Sequence, residues 1–300
     1  MRSPAVHSPC LLSTLLICLL AGGLAGTLAP AQSSSATLTP ALVEAGSPEL
    51  IRIEAPPEAS LDGEWLGRKL QFFRGRDTRA WFALAGVDVE APVGSSQLKI
   101  TIQLPRSAAR DLTRTVEIHP AHYRTGSLTV PPKFVSPDLD ALKQIEADST
   151  LKAKVFASSA NEPLWTSSFH APVTAAPTDS FGTRRMFNGK LASVHKGMDY
   201  RAAMGTPVRA GNSGVVVLAR PLYYEGKCVI VDHGLGLFTV SMHFSRIDVK
   251  EGQHVVAGEQ LGLSGATGRV TGPHLHWAVR WQNAYLDPAK LLRLDLSGIR

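Results

Sequence analysis

The sequence predicts a mainly β protein, with a small N-terminal β-sandwich and a larger antiparallel-β domain joined by a linker that carries one helix. Three observations predict it. Short apolar runs recur between residues 41 and 125, separated by Gly, Pro, Asp and Ser. A helix-start signal follows near residue 137, with apolar residues at helical spacing behind it. Beyond residue 165, Val-, Ile- and Leu-rich runs alternate with glycine-bearing turns.

The first segment is a targeting signal. Met1-Arg2 leads into an apolar run from Leu11 to Leu20 and then to Ala29-Pro30-Ala31. A positive start, a short apolar core and an A-x-A site describe a secretory signal peptide over residues 1–31, whose cleavage leaves Gln32 first. The run is shorter than the roughly 20 apolar residues of a membrane span. The expected location is the periplasm or cell envelope, without stable membrane insertion once the signal is cut. Cys10 and Cys18 leave with the signal, and only Cys228 remains. That excludes an internal disulfide and a metal site built on thiolates. Cys228 lies in the apolar run 227–231 and reads as a small buried hydrophobe.

The remaining chain, about 270 residues, exceeds the usual single-domain size and favours two domains. Residues 32–40 read as a flexible lead-in. Residues 41–128 contain β-like runs at 49–53, 69–73, 80–84, 97–102 and 113–118. Their spacing is that of a β-sandwich, immunoglobulin-like in outline, without the usual cysteine pair. His119 and His122 close this part with no third histidine nearby in sequence, so a second metal site is not expected there. Nothing in it looks catalytic, and a chain starting near Ser136 is expected to keep metal and activity. Residues 129–164 form the linker. Ser136, Pro137 and Asp138 read as N-cap, first helical position and first-turn acid, and the helix is expected to run to about Ser158. It either orients the two domains or packs on the second. In residues 165–300, Trp165 and Phe169 are expected to cover the core, and strands are expected at 214–218, 228–231, 237–240, 260–263 and 276–279.

Formal net charge is +6. A basic balance suits a partner carrying carboxylates or phosphates. Export and the lack of an Arg/Lys cluster with interleaved aromatics exclude nucleic acid as that partner.

The chemistry is concentrated in three short segments: His195-Lys196-Gly197-Met198-Asp199, Met242-His243-Phe244 and His274-Leu275-His276. Side chains at i, i+2 and i+4 share one face of a strand, so His274 pairs with His276 and His195 with Asp199. Zinc accepts imidazole nitrogen and carboxylate oxygen, and a catalytic site takes three protein ligands and leaves the fourth position to water. One carboxylate and four imidazoles therefore leave two histidines to act on water and substrate.

From Phe181 to Arg280 the text resembles the lysostaphin-type, or LytM-like, zinc endopeptidases that cut peptide cross-links of peptidoglycan. The matching text includes Ser180-Phe181-Gly182-Thr183-Arg184, the His195–Asp199 segment, Gly205-Thr206-Pro207-Val208, Val231-Asp232-His233-Gly234, Gly258-Glu259-Gln260-Leu261-Gly262 and Thr271-Gly272-Pro273-His274-Leu275-His276-Trp277. The resemblance implies a LytM-like antiparallel-β peptidase domain and a Zn2+ cofactor. It implies His195, Asp199 and His276 as metal ligands, and His243 and His274 as the residues flanking the attacking water. Ser241 and Phe244 stand where the family often has Tyr and Leu, which bears on substrate fit but not on the ligand set. Arg184 and Arg185, in the text before the first ligand, are expected to include a group that meets a stem-peptide carboxylate.

The function so implied is hydrolysis of peptidoglycan cross-links by a metal-activated water, with the D,D bond favoured because no wall-binding module of the glycine-bridge kind is visible. The alternative is an inactive LytM-like envelope scaffold that activates another wall hydrolase. Degenerate relatives lose ligands, whereas all five site residues are present here. A biotinyl- or lipoyl-type carrier is excluded, because no lysine falls between Ala257 and Arg280.

Overall fold

Side-chain alternation builds the N-terminal part. In the strand Gly94–Gln103, Leu98, Ile100 and Ile102 are buried while Lys99, Thr101 and Gln103 face solvent, the period of a strand with one face on a core. The computed structural model describes residues 35–75, 79–127, 137–187 and 190–299. The signal segment 1–31 and Ser136 lie outside the described residues.

Two sheets share the N-terminal core. The first runs Ala36–Thr39, Pro48–Glu54, Ala80–Gly86, Phe72–Arg74; the second runs Val43–Glu44, Arg110–His119, Gly94–Gln103, Ser60–Trp65, Arg68–Lys69. The strand order resembles the A-B-E-D and C-F-G partition of immunoglobulin-type sandwiches, with short strands added at both edges of the second sheet, and the buried Trp65 sits on the strand Ser60–Trp65 that corresponds to C. The lead-in expected to be flexible begins the first sheet instead. Ala36–Thr39 pairs antiparallel with Leu50–Ile53 because Ala36 and Leu38 alternate into the core.

The C-terminal part is built on one sheet of ten strands, ordered Pro177–Asp179, Met198–Tyr200, Leu275–Trp281, Leu237–Ile247, Gly226–Asp232, Gly214–Leu222, His254–Val255 along its main path. All five strands expected here lie within longer observed ones. Cys228 is fully buried, with its thiol pushed above the usual range by burial.

The helix runs Leu139–Phe156, and its N-cap is Asp138, whose carboxylate accepts from the Ala141 N–H at 2.9 Å. The cap therefore falls two residues beyond the expected serine, and Pro137 precedes the helix rather than opening it. Leu151, Val155 and Phe156 pack against Leu218, Phe238 and Val240 of the large sheet, and Phe156 meets Phe238 edge-on at 5.2 Å. The helix is thus docked on the large C-terminal sheet, the second of the two roles open to it.

The described residues form one compact unit, and one apolar cluster runs through the sandwich and the large C-terminal sheet alike. Trp165 packs edge-on against Phe73 at 5.9 Å. Gly86 faces Leu286 so closely that an added Cβ would lie 2.5 Å from its methyl. Asp88 accepts from the Tyr285 N–H at 2.7 Å, and Lys290 pairs with Glu44 at 2.8 Å. This continuity changes what truncation should do. Uncovering large apolar side chains such as Trp165 and Leu286 costs about 1.5–3 kcal/mol each, against a total stability of about 5–15 kcal/mol. A chain starting near residue 136 is expected to melt about 10 °C or more below the full chain. Thermal melts of the two proteins check this.

Candidate metal centre

Strand register assembles the site. Asp199 stands directly opposite His276 across the strands Met198–Tyr200 and Leu275–Trp281. Residues facing each other across antiparallel strands project from one face, with Cβ atoms about 5 Å apart. His195 lies just outside the strands, between Lys190–Val194 and Met198–Tyr200. Its backbone is clamped by the bonds His195 N–H to Thr183 O (2.9 Å) and Gly182 N–H to His195 O (2.8 Å). Gly197 follows because the His276 ring lies against it, and a Cβ there would fall 2.4 Å from His276 Nε2.

Three atoms converge. His195 Nε2 is 3.2 Å from Asp199 Oδ1 and 3.0 Å from His276 Nδ1, and His276 Nδ1 is 2.8 Å from Asp199 Oδ1. Among the described residues this trio is the one His/Asp/Glu/Cys group arranged to hold a metal ion. Bonds of about 2.0–2.2 Å around a tetrahedral ion need ligand atoms about 3.3–3.5 Å apart, so the triangle fits after an outward shift of a few tenths of an ångström. His195 Nδ1–H donates to the Ser180 carbonyl at 3.0 Å, which leaves the Nε2 lone pair free to meet a metal. Burial alone would raise the Asp199 carboxyl, but the His195 and His276 imidazoles against it hold it far below the usual carboxylate range. Burial lowers His276, against the pull of Asp199. Asp199 is therefore an anion and His276 a neutral donor, the forms a metal requires.

His243 and His274 flank this trio, their rings 4.9 Å apart, with His243 6.2 Å from the His276 ring. His276 faces Met242 across the sheet, so strict alternation would send His243 to the opposite face. It does not, because His243 adopts φ +67° where the strand Leu237–Ile247 bulges. Its N–H donates to the Glu225 carbonyl at 2.9 Å and its Nδ1–H to the Thr267 carbonyl at 2.8 Å. His274 Nδ1 makes the same kind of bond to Gly272 O at 2.9 Å, and its Nε2 is 3.9 Å from Asp199 Oδ1. Each ring so held keeps Nε2 as its acceptor nitrogen. Burial and the neighbouring imidazoles push His243 down to about 3, so it is neutral at physiological pH.

The two arginines part company. Arg185 reaches Asp179 Oδ2 at 3.1 Å and Asp199 Oδ2 at 3.6 Å, on the side of the carboxylate away from the trio's converging atoms. Arg184 is exposed. Asp179, unnoticed in the sequence, also lies 3.3 Å from His195 Nδ1 and accepts from the Thr183 hydroxyl at 2.9 Å. It belongs to no short motif, and only the pairing of Pro177–Asp179 with Met198–Tyr200 brings it to the site.

Three converging donors of this kind could hold one metal ion, the number of protein ligands that a catalytic zinc site takes. Comparison narrows it: residues 193–288 match the model of peptidase family M23. The peptidoglycan DD-endopeptidase ShyA of Vibrio cholerae is 45% identical over 101 residues, which are 33% of this chain and 24% of that protein. The DD-carboxypeptidase/endopeptidase Mpg of Neisseria meningitidis is 39% identical over 98 residues, 33% of this chain and 23% of that protein. The chain thus spans about a quarter of the length of these curated relatives. A peptidase M23 crystal structure from Pseudomonas aeruginosa matches with TM-score 0.63 at 26% identity, covering 84% of this chain and 95% of that one. That likeness takes in the sandwich as well as the peptidase sheet.

Proposed function

We propose that this chain is an exported zinc-dependent endopeptidase that hydrolyses the peptide cross-links of bacterial peptidoglycan, with the D,D bond as its target. The observation that carries this reading is the convergence of two proton-handling imidazoles on a His-Asp-His trio of ligand geometry. His195, Asp199 and His276 would hold the zinc ion, which when bound supplies Lewis acidity toward water and toward the scissile carbonyl. Arg185 and the Ser180 carbonyl keep the ligands oriented. His274, whose Nε2 lies beside the ligand oxygen of Asp199, takes the proton of the attacking water. His243, across from it, shares in passing that proton to the leaving amine. Arg184, exposed on the strand Arg184–Phe187, meets a carboxylate of the stem peptide. The DD-endopeptidase names of the relatives support the bond assigned, and the intact residue set opposes the inactive-scaffold reading.

Digestion of purified peptidoglycans of defined chemistry, with mass analysis of the fragments, tests this. The expected result is conversion of D,D-cross-linked dimers to monomers, with a raised KM for Arg184→Ala. Metal-loaded protein that is inert on every wall type would replace the proposal with the scaffold.

A further inference from the structure

We propose that the helix Leu139–Phe156, which lies outside the family-matched residues 193–288, braces the His243 backbone through Asp148 and Lys152. This rests on the reading of His243 as a proton-handling residue. The argument begins with its conformation. A non-glycine residue at φ +67° occupies a sparsely populated region, and such a conformation persists only where the surroundings over-determine it. Two bonds hold it: the backbone N–H to Glu225 O and the ring Nδ1–H to Thr267 O. Both acceptors sit in loops laced to each other. Gly226 abuts Thr267 with no room for a Cβ, and the Arg269 N–H donates to Tyr224 O at 2.8 Å.

The turn that carries Glu225 is in turn gripped by the helix. Asp148, 5% exposed, accepts from the Tyr223 N–H at 2.7 Å and from Gln144 Nε2 at 2.7 Å. One turn further on, Lys152 pairs with the Glu225 carboxylate, which is itself buried. These residues stand at i and i+4 on one helix face. The helix is seated by Val155 and Phe156 on Phe238, Val240 and Ala278, on the sheet face from which His276 also projects. A rigid element therefore fixes the turn, the turn fixes the His243 backbone, and the backbone aims the ring. Asp148 and Lys152 are positioning residues, since neither touches the reacting atoms.

The test uses the full, zinc-loaded chain and the variants Lys152→Met, Lys152→Arg and Asp148→Ala. Lys152→Met and Asp148→Ala are expected to lower kcat about tenfold or more, because misplacement of a catalytic group by about 1 Å can cost 10²-fold. KM and zinc content should stay within twofold of wild type, and Lys152→Arg should restore kcat. In a His243→Ala background, Lys152→Met should cost nothing further, whereas general destabilisation would cost the same factor in both backgrounds. Hydrogen exchange of the His243 amide gives a readout independent of turnover, and its protection should fall at least tenfold in Lys152→Met. Active wild type with unchanged kcat in both weakening variants overturns the brace alone. Inert, zinc-loaded wild type overturns the function first, and unchanged amide protection then removes the brace as well.

Discussion

Purified His195→Ala, Asp199→Ala and His276→Ala proteins are expected to be folded, metal-free and inactive. Each substitution removes one corner of a triangle whose sides are 2.8, 3.0 and 3.2 Å. Two remaining donors cannot complete a three-ligand site, and no other His, Asp, Glu or Cys among the described residues is arranged to replace the third. Asp199→Ala should be the most severe for binding. It also removes the charge that keeps two imidazoles facing one another, and it strands Arg185 with Asp179 alone. Metal analysis of the three variants, alongside melts to show that they fold, decides the assignment. Zinc loss in His274→Ala with retention in His276→Ala would reverse the roles within the His-x-His pair.

His243→Ala and His274→Ala should behave in the opposite way, retaining metal and losing at least about 10²-fold in kcat, the scale of one positioned acid–base group. Neither imidazole belongs to the trio whose donor atoms converge. Their combined loss should fall short of the product of the single losses, because groups serving one transition state act as a unit. Steady-state kinetics of the two single variants and the double one, at full metal occupancy, provide the comparison. A fully multiplicative double loss would show that the two residues act independently.

Much of the site was legible in the sequence because its parts lie in short motifs whose spacing has a simple meaning. His-x-His and His-x-x-x-Asp each put their side chains on one side of the chain. The orientation of His243 was not legible. It depends on a positive φ within an apolar strand, and nothing in Met242-His243-Phe244 marks it. Asp179 was missed for a related reason: it reaches His195 through strand pairing, not through proximity in sequence. In the sandwich, the strand Ser60–Trp65 was hidden by Asp62-Gly63, which reads as a turn. It is extended because Gly63 pairs with Ile100 and lies close against Phe72 and Leu70. The common core of sandwich and peptidase sheet was equally hidden. Buried residues such as Trp165 show burial in the sequence, but not the partner they are buried against.

The register that sets Asp199 against His276 also has a meaning in time. The two residues are distant along the chain and meet only when Met198–Tyr200 has added itself to the edge of Leu275–Trp281. Pairings between such remote segments form late, since the entropy of closing the intervening loop must be met first. A slip of one residue would turn the carboxylate to the wrong side of the sheet. A nascent or half-folded chain therefore holds no complete His-Asp-His trio, and the candidate metal centre arises only with the finished tertiary structure.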